Sequence, residues 1–313
     1  MAEARDDDEI FVYMGGDQVV PDDVRRVRID KSVTIIPRDV FYGREHLIDV
    51  EFHDEIEEIG NSAFDRCHSL RSVKLLGVKI IKMRAFSSCI DLKEVEFGEK
   101  LETLGTSAFL NCNSLTNITM PSARIIGRWA FMNCKELTDL DVGEELETIQ
   151  ESAFHKCNAL RRIAIPLKCM IGDQVFFNCS RLALVDLVGG IHNTVASLHL
   201  ESWRNEMKDE VNIINEVLPY TTSSQKTDTI HQWIESVTYR MNHYKTEHKA
   251  LLKEATTLLE LALWKAKIDE QEDHGEVKAK RVKIDIQSER NERRITSGAN
   301  IVIKNVLPFL ELK

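Results

Sequence analysis

Seven cysteines are the residues of this 313-residue chain that most invite chemistry, because a thiolate can act as a nucleophile, form a disulfide or bind a metal. Six of them recur at intervals of 22 or 23 residues. A zinc site needs four ligands that converge on one point, whereas this spacing predicts one thiol per repeat in a single column. We therefore expect packed thiols, with no metal and no cofactor. The six are Cys67, Cys89, Cys112, Cys134, Cys157 and Cys179.

Disulfides between neighbouring thiols of this column are not excluded by distance, since adjacent strands lie ~4.8 Å apart. A reducing intracellular setting argues against them. The seventh cysteine, Cys169, holds a position that Lys79 and Arg124 hold in other repeats. We expect Cys169 to be more exposed than the other six, as an ordinary surface thiol or as the reactive group of a redox regulator.

The ten histidines do not indicate an active site. His243 and His248 are five residues apart rather than the four that place two ligands on one helix face. The sequence also contains no H-E-x-x-H, G-x-S-x-G, P-loop or G-x-G-x-x-G motif. We therefore expect a protein that is not an enzyme.

A repeat positions these cysteines. The pattern I-G-x-x-A-F-x-x-C-x-x-L-x-x-V-x-L runs through the first two thirds of the chain. A period of 22 or 23 residues predicts a solenoid in which each repeat is one coil with a short strand and a short helical turn. Alternation along the strand sends Val95 and Phe97 inward and Glu94 and Glu96 outward. The repeated phenylalanines are Phe41, Phe64, Phe86, Phe109, Phe131, Phe154 and Phe176.

The repeat resembles the BspA-type, or type 5, leucine-rich repeats over residues 24–190. The resemblance implies a right-handed β-solenoid used for binding, with no catalytic residues shared across the family. The fold class is thus α/β: a right-handed leucine-rich-repeat β-solenoid followed by an α-helical hairpin or bundle. We expect a partly disordered segment at 1–23, about seven full repeats plus a capping coil at 24–190, and a helical domain at 195–313. That last domain resembles tails attached to such repeats in unicellular algae.

Three features of the coil surface could bind a partner. Outward strand positions are mostly acidic and predict either docking of a basic protein or a merely solvated face. Trp129 and Met132 lie on the turns and predict an apolar contact patch, unless Trp129 lies flat on the neighbouring coil. A column of alternating charge before each I-G step predicts weak ion pairs between coils. The acidic candidates are Asp49, Glu51, Glu94, Glu96, Asp139 and Asp141; the alternating column is Glu57, Lys79, Glu102, Arg124, Glu147 and Cys169.

Helical periodicity begins after residue 193. Apolar residues three or four apart predict a first helix that ends at Pro219. A heptad seam from Ile230 to Ala262 predicts a second helix. The seam could pack on the first helix as an antiparallel hairpin, on a second copy of the chain as a homodimer, or on a heterologous helix. Charged, helix-favouring residues follow at 276–298, and a last apolar piece at 299–312 is expected to fold back on the bundle.

Charge and hydropathy bound the partners and the location. Residues 1–200 carry 23 basic and 32 acidic residues, which is −9 of the net charge of −10. Because this acidity repels phosphate, nucleic acid is an unlikely partner and proteins are the expected ones. No secretory signal or membrane-spanning run is evident. This predicts an intracellular protein, most simply a cytoplasmic one, that does not associate with a membrane. Lys280, Arg281 and Lys283, within segment 278–283, leave a nuclear adaptor as an alternative.

Overall fold

The computed structural model describes residues 10–188 and 201–276, with side chains up to residue 266. The basic segment 278–283 and the last apolar piece lie outside the described residues. So do the first nine residues and the expected domain boundary near residue 190. The chain forms two compact units. The first contains residues 10–188 together with 208–238, and the second contains 201–207 together with 239–276.

A parallel β-solenoid of about seven coils makes up most of the first unit. Its longer strands form two ladders that are separated by a break in pairing between β8 and β10. The order is β1-β2-β4-β6-β8 in one and β10-β12-β14-β16 in the other. The longer strands are β1 (Ile10–Tyr13), β2 (Arg26–Ile29), β4 (Asp49–Glu51), β6 (Ser72–Leu75), β8 (Glu94–Phe97), β10 (Asn117–Met120), β12 (Asp139–Val142), β14 (Arg162–Ile165) and β16 (Leu184–Leu187).

Two-residue strands form a second, unbroken seven-stranded parallel sheet. Each holds one inward residue, such as Ile126 or Ile149, which is fully buried. These short strands are β3 (Ile35–Ile36), β5 (Glu58–Ile59), β7 (Ile80–Ile81), β9 (Thr103–Leu104), β11 (Ile125–Ile126), β13 (Thr148–Ile149) and β15 (Met170–Ile171). Each coil therefore presents one longer strand, one short strand and a turn segment.

The phenylalanines stack in one file through the interior, as the sequence predicts. All seven rings are fully buried. Neighbouring ring centroids lie between 4.8 Å, for Phe41 and Phe64, and 5.9 Å, for Phe154 and Phe176. The interplanar angles of these pairs are 10° or less. Each aromatic pair adds about 0.5–1.5 kcal/mol to the free energy of burying the rings, so the file is a main source of stability.

The turn segments of the coils are not helical, which corrects the expectation of a short helical turn. Their backbone N–H groups alternate between two partners: Phe64 N–H donates to Ala85 O of the next coil at 2.7 Å, and Asp65 N–H donates three residues back along the chain to Ser62 O at 3.1 Å. Two residues of each turn, such as Ser62 and Arg66, have positive φ values of 52° and 65°. A residue in the left-handed region interrupts helical geometry, so the chain bends twice around each buried Ala-Phe pair.

The solenoid begins earlier than residue 24. Strand β1 pairs in parallel with β2, with Tyr13 opposite Ile29. Arg44, which stands where the later coils have cysteine, fastens this first part. Its Nη2 donates to Val20 O at 2.9 Å, and its Nη1 lies 3.1 Å from Asp22 Oδ1. Residues 10–23 thus belong to the fold rather than to a loose terminal segment.

Two helices follow the solenoid: α1 (Glu201–Val217) and α2 (Lys226–Glu276), joined through a 3₁₀ turn at Leu218–Tyr220 that contains Pro219. The prediction that the first helix ends at this proline is confirmed. Within the first unit, Trp233 Nε1 donates to Glu210 O at 3.3 Å. Within the second unit, the rings of Trp203 and Tyr244 stack at 5.1 Å. In both units, α2 therefore packs on α1 in antiparallel order.

Candidate protein-interaction surfaces

The acidic candidates occupy two columns on the outer face of the longer strands. Asp49, Glu94 and Asp139 lie in the first column, and Glu51, Glu96 and Asp141 lie in the second. The strand register confirms the columns: Asp49 lies opposite Ser72 and Ser72 opposite Glu94. Acidic residues thus recur on every second coil, about 10 Å apart.

The second acidic column is largely neutralised by ion pairs. Glu51 pairs with Arg28 at 2.5 Å. Glu96 pairs with Lys74 at 3.2 Å. Hydrogen bonding to Glu51 raises the pKa of Arg28. Asp141 shares Arg162 with Asp186, each at 2.8 Å. In the first column, by contrast, the carboxylates of Asp49, Glu94 and Asp139 form no ion pair with any residue that the structure describes.

Three basic residues beside the acidic columns were missed by the sequence analysis. Arg71, Lys93 and Arg161 directly precede strands β6, β8 and β14 and are exposed. Each follows the buried leucine of its repeat. A comparison of the residues at the first x of L-x-x-V in successive repeats could have identified them. The strand face is therefore mixed in charge, and within the part of the chain that the structure describes only the first column offers unpaired carboxylates to a basic partner.

The alternating column before the short strands forms a lateral charge ladder, as predicted. Its backbone runs in register, since Lys79 N–H donates to Glu57 O and Arg124 N–H donates to Glu102 O. Lys79 Nζ lies 2.9 Å from Glu57 Oε1. Arg124 Nε donates to Glu147 Oε1 at 3.1 Å. The bond to Glu57 raises the pKa of Lys79 and lowers that of Glu57.

The turn face carries an apolar strip. Trp129 and Met132, which the sequence predicts as part of a contact patch, are both half-buried. Arg128 covers one face of the Trp129 ring at 4.1 Å and also pairs with Glu151 at 2.7 Å. Trp129 has φ of 57°, a conformation that is costly for a large side chain. The other half-buried members hold the turn position of Met132 in neighbouring coils: Leu110, His155 and Phe177.

His155 extends this strip beyond what the sequence analysis identified. Its ring lies 5.1 Å from that of Phe177, and burial lowers its pKa. The His155 ring packs on Phe177, so four successive coils present apolar or aromatic side chains along one line. The pattern could have been found by comparing the residue after each repeated phenylalanine.

The six repeated thiols are sealed in the interior. Each Sγ donates to the carbonyl of a phenylalanine in the preceding coil, as Cys134 does to Phe109 O at 3.3 Å. Burial raises the pKa of Cys134 to about 12. The thiols are unpaired as disulfides. Among the residues that the structure describes, no group of three or more potential ligands could hold a metal ion.

Cys169 is buried, which corrects the expectation of a surface thiol. It is 5% exposed, only slightly more than its six relatives. Its N–H donates to Pro166 O, the same bond that joins Val78 to Leu75, so Cys169 takes the inward place of Val78. The residue aligned with Val78 is Lys168, which is exposed. The chain shifts by one residue because a lysine cannot be buried there without a partner.

The heptad seam of α2 is buried continuously in its first half, and beyond it at Ala255. Ile230, Ile234 and Val237 in the first unit are at most 6% exposed, as are Met241 and Tyr244 in the second. Further along, four large apolar residues are 40–65% exposed: Leu258, Leu261, Leu263 and Trp264. No described helix combines the length and apolar character needed to cross a membrane.

The repeat model "BspA type Leucine rich repeat region (6 copies)" matches residues 22–123, 76–183 and 114–202. No curated protein matches the chain. Among solved structures, the T. pallidum leucine-rich repeat protein TpLRR is 29% identical, with a TM-score of 0.48, over 50% of this chain and 77% of that one. A leucine-rich cell surface protein from Faecalibacterium prausnitzii is 28% identical, with a TM-score of 0.45, over 50% of this chain and 43% of its own.

A leucine-rich-repeat protein from Bacteroides ovatus is 25% identical, with a TM-score of 0.32. That match covers 53% of this chain and 55% of the other. The chain therefore spans about half the length of the last two proteins. Because the repeat model covers more than half of the sequence, the chain belongs to the BspA-type leucine-rich repeat family.

Proposed function

We propose that the protein is a non-enzymatic interaction scaffold, in which the solenoid recognises a protein partner and the helices supply dimerisation or a second contact. Leucine-rich repeat proteins generally mediate protein–protein interaction, and their fold families are typically non-enzymatic. The observation that carries the proposal is the straight alignment of outward side chains over successive coils. Such columns present side chains to a partner at a regular spacing, without a conformational change.

For the strand face, the proposed partner is basic, and the unpaired carboxylates of Asp49, Glu94 and Asp139 make the main contact. The test replaces these three by their amides and measures binding of a lysine-rich peptide by fluorescence anisotropy. The matched control replaces the ion-paired Glu51, Glu96 and Asp141 in the same way. We expect the first variant to lose more affinity than the control. Equal affinities for both variants and the wild type would remove basic-partner docking at this face.

For the turn face, the proposed contact is the apolar strip around Trp129 and Met132. Trp129→Ser is a suitable test because serine holds the same turn position in Ser62, Ser107 and Ser152. Quantitative affinity purification should recover less of a specific partner with this variant. Tyr220→Ser is the control, since Tyr220 is 91% exposed and belongs to the 3₁₀ turn between the helices rather than to a coil. Undiminished recovery with Trp129→Ser counts against the strip.

For the helices, the proposed role is association through the exposed apolar residues of α2. Light scattering of the full chain should give the mass of a dimer, and Leu258→Lys combined with Leu263→Lys should give that of a monomer. Lys249→Met is a control on the same helix, at an exposed polar position. A monomer mass for the wild type would leave the helices as an intramolecular hairpin only.

Two alternatives receive less support. A thiol-based regulator would need a reactive Cys169, but burial raises the pKa of that thiol to about 12. Labelling of native protein with a thiol reagent tests this, and rapid modification of Cys169 would revive the idea. A nuclear adaptor would use segment 278–283; deletion of that segment and imaging of the protein in cells test it against the cytoplasmic location that we propose.

A further inference from the structure

The last coil of a solenoid has backbone donors for which no further coil supplies acceptors. In the interior, Phe154 N–H donates to Val175 O at 3.1 Å, and Lys156 N–H donates to Phe177 O at 2.9 Å. In the last coil, the equivalent donors are the N–H groups of Phe176 and Asn178. They bond to the segment that opens α2: Phe176 N–H to Thr227 Oγ1 at 2.9 Å, and Asn178 N–H to Ser223 O at 3.0 Å.

The backbone acceptors of the last coil are satisfied by a buried lysine. In the interior, His68 O accepts from Asp91 N–H at 3.2 Å. The equivalent carbonyl in the last coil, Ser180 O, accepts from Lys226 Nζ at 3.3 Å, and Leu182 O accepts from the same amine. Lys226 is only 2% exposed, and burial lowers its pKa. An amine in such a place is tolerated because carbonyl oxygens surround it.

The open edge of the longer-strand ladder is closed by one amide side chain. Asn215 Oδ1 accepts from Val185 N–H at 2.8 Å, and Asn215 Nδ2 donates to Val185 O at 3.3 Å. The amide thus forms the two bonds that another strand would form. The first strand is protected in a related way, by an amide that bridges two residues: Gln18 Oε1 accepts from Met14 N–H at 2.6 Å, and Gln18 Nε2 donates to Val12 O at 3.1 Å.

We propose that Asn215, Ser223, Lys226 and Thr227 form an end cap that substitutes for a further coil and keeps the solenoid from associating end to end with a second copy. An unprotected edge strand offers a row of unpaired N–H and C=O groups to another chain. The occupant that the cap excludes is strand β16 of a second copy, because identical edges offer each other the same unpaired groups. The α1–α2 connection is then part of the solenoid fold and not a separate module.

The test is the triple variant Asn215→Ala, Lys226→Ala and Thr227→Ala in the full chain. The matched control, Asn242→Ala, Lys249→Ala and Thr256→Ala, makes the same changes at exposed positions of α2. Light scattering over a wide range of protein concentration should show a mass above that of the wild type for the cap variant alone. Hydrogen exchange should also rise at the amides of Phe176, Asn178 and Val185.

A cap variant that retains its circular dichroism and has the same mass as the wild type at every concentration overturns the proposal. If the triple variant unfolds, the single variant Asn215→Ala decides, because it opens the β16 edge and leaves the buried Lys226 in place. Unchanged mass would then contradict edge protection, and an increased mass would support it.

Discussion

The solenoid and helix α2 both carry a regular apolar period, yet only the solenoid buries it throughout. All seven repeated phenylalanines are fully buried, whereas Leu258 of the helical seam is 40% exposed and Leu263, beyond the end of the seam, is 57% exposed. In the solenoid, the partner of each apolar residue is the same residue of the next coil, so the repeat supplies its own cover. A helical seam specifies which face of the helix is apolar, but it does not specify which surface packs on that face.

This difference means that loss of an apolar side chain should be costly in one region and nearly neutral in the other. It also means that the six buried thiols should act together when pH changes, each altering the free energy of unfolding in the same direction. Three measurements test the contrast, beginning with the largest expected effect.

Alkaline pH should unfold the solenoid cooperatively. Burial raises the pKa of Cys134 and Cys179 to about 12 from an ordinary value of 9.0. Between these values the unfolded chain releases protons that the folded chain retains, so the free energy of unfolding falls as pH rises above 9. At pH 10 the loss is on the order of 1 kcal/mol for each thiol and several kcal/mol for the six together. The others are Cys67, Cys89, Cys112 and Cys157, whose pKa values are also raised.

Urea unfolding at several pH values, in the presence of a reductant, measures this loss. The variant Cys134→Ala is the control, since it should be less stable at neutral pH but show about one sixth less dependence on pH above 9. Constant stability from pH 8 to pH 10 would show that the thiols are not sealed from solvent.

Truncation of a stacked ring should separate the two regions directly. Phe109→Ala removes a ring that stacks on Phe86 at 5.2 Å and on Phe131 at 5.3 Å, and should cost about 3–5 kcal/mol. Leu261→Ala, at a position that is 55% exposed, should cost less than about 0.5 kcal/mol. Thermal unfolding of both variants makes the comparison. A similar cost for both would mean that the distal helix has a cover of its own in solution.

The charge ladder should have the smallest effect. Arg124→Gln removes the pairing with Glu147 on the solenoid surface, and exposed pairs typically contribute about 0.2–1 kcal/mol. Added salt should reduce the difference between this variant and the wild type. A loss of several kcal/mol that does not depend on salt would indicate that Arg124 contributes through packing rather than through charge.

The repeat could be predicted closely because each of its positions recurs in several coils, so the same residue type marks the same place many times. The file of rings, the thiol column and the lateral charge ladder all follow from residues that recur at 22 or 23 positions. One prediction that was wrong concerns every coil, since the turn segments are not helical. Another concerns a place where the repeat changes. Cys169 was expected to be exposed, because the sequence alone does not show that Lys168 displaces it by one residue.

The candidate surfaces were predicted in part. The acidic columns are where the sequence placed them, but the pairing of Glu51 with Arg28, and of Asp141 with Arg162, depends on which side chains of different coils meet. The turn strip needed His155, which a search for apolar residues does not select. The cap residues Asn215 and Lys226 belong to no motif, because their role comes from meeting the last coil.

By itself, the sequence determined the coil, its inward columns and the family, since a recurring pattern of apolar residues can be buried only by stacking on itself. The tertiary structure alone decided how the stack ends, which carboxylates remain unpaired and how far the helical seam is covered. Those outcomes depend on contacts between residues far apart in the chain, for which the repeat carries no local signal.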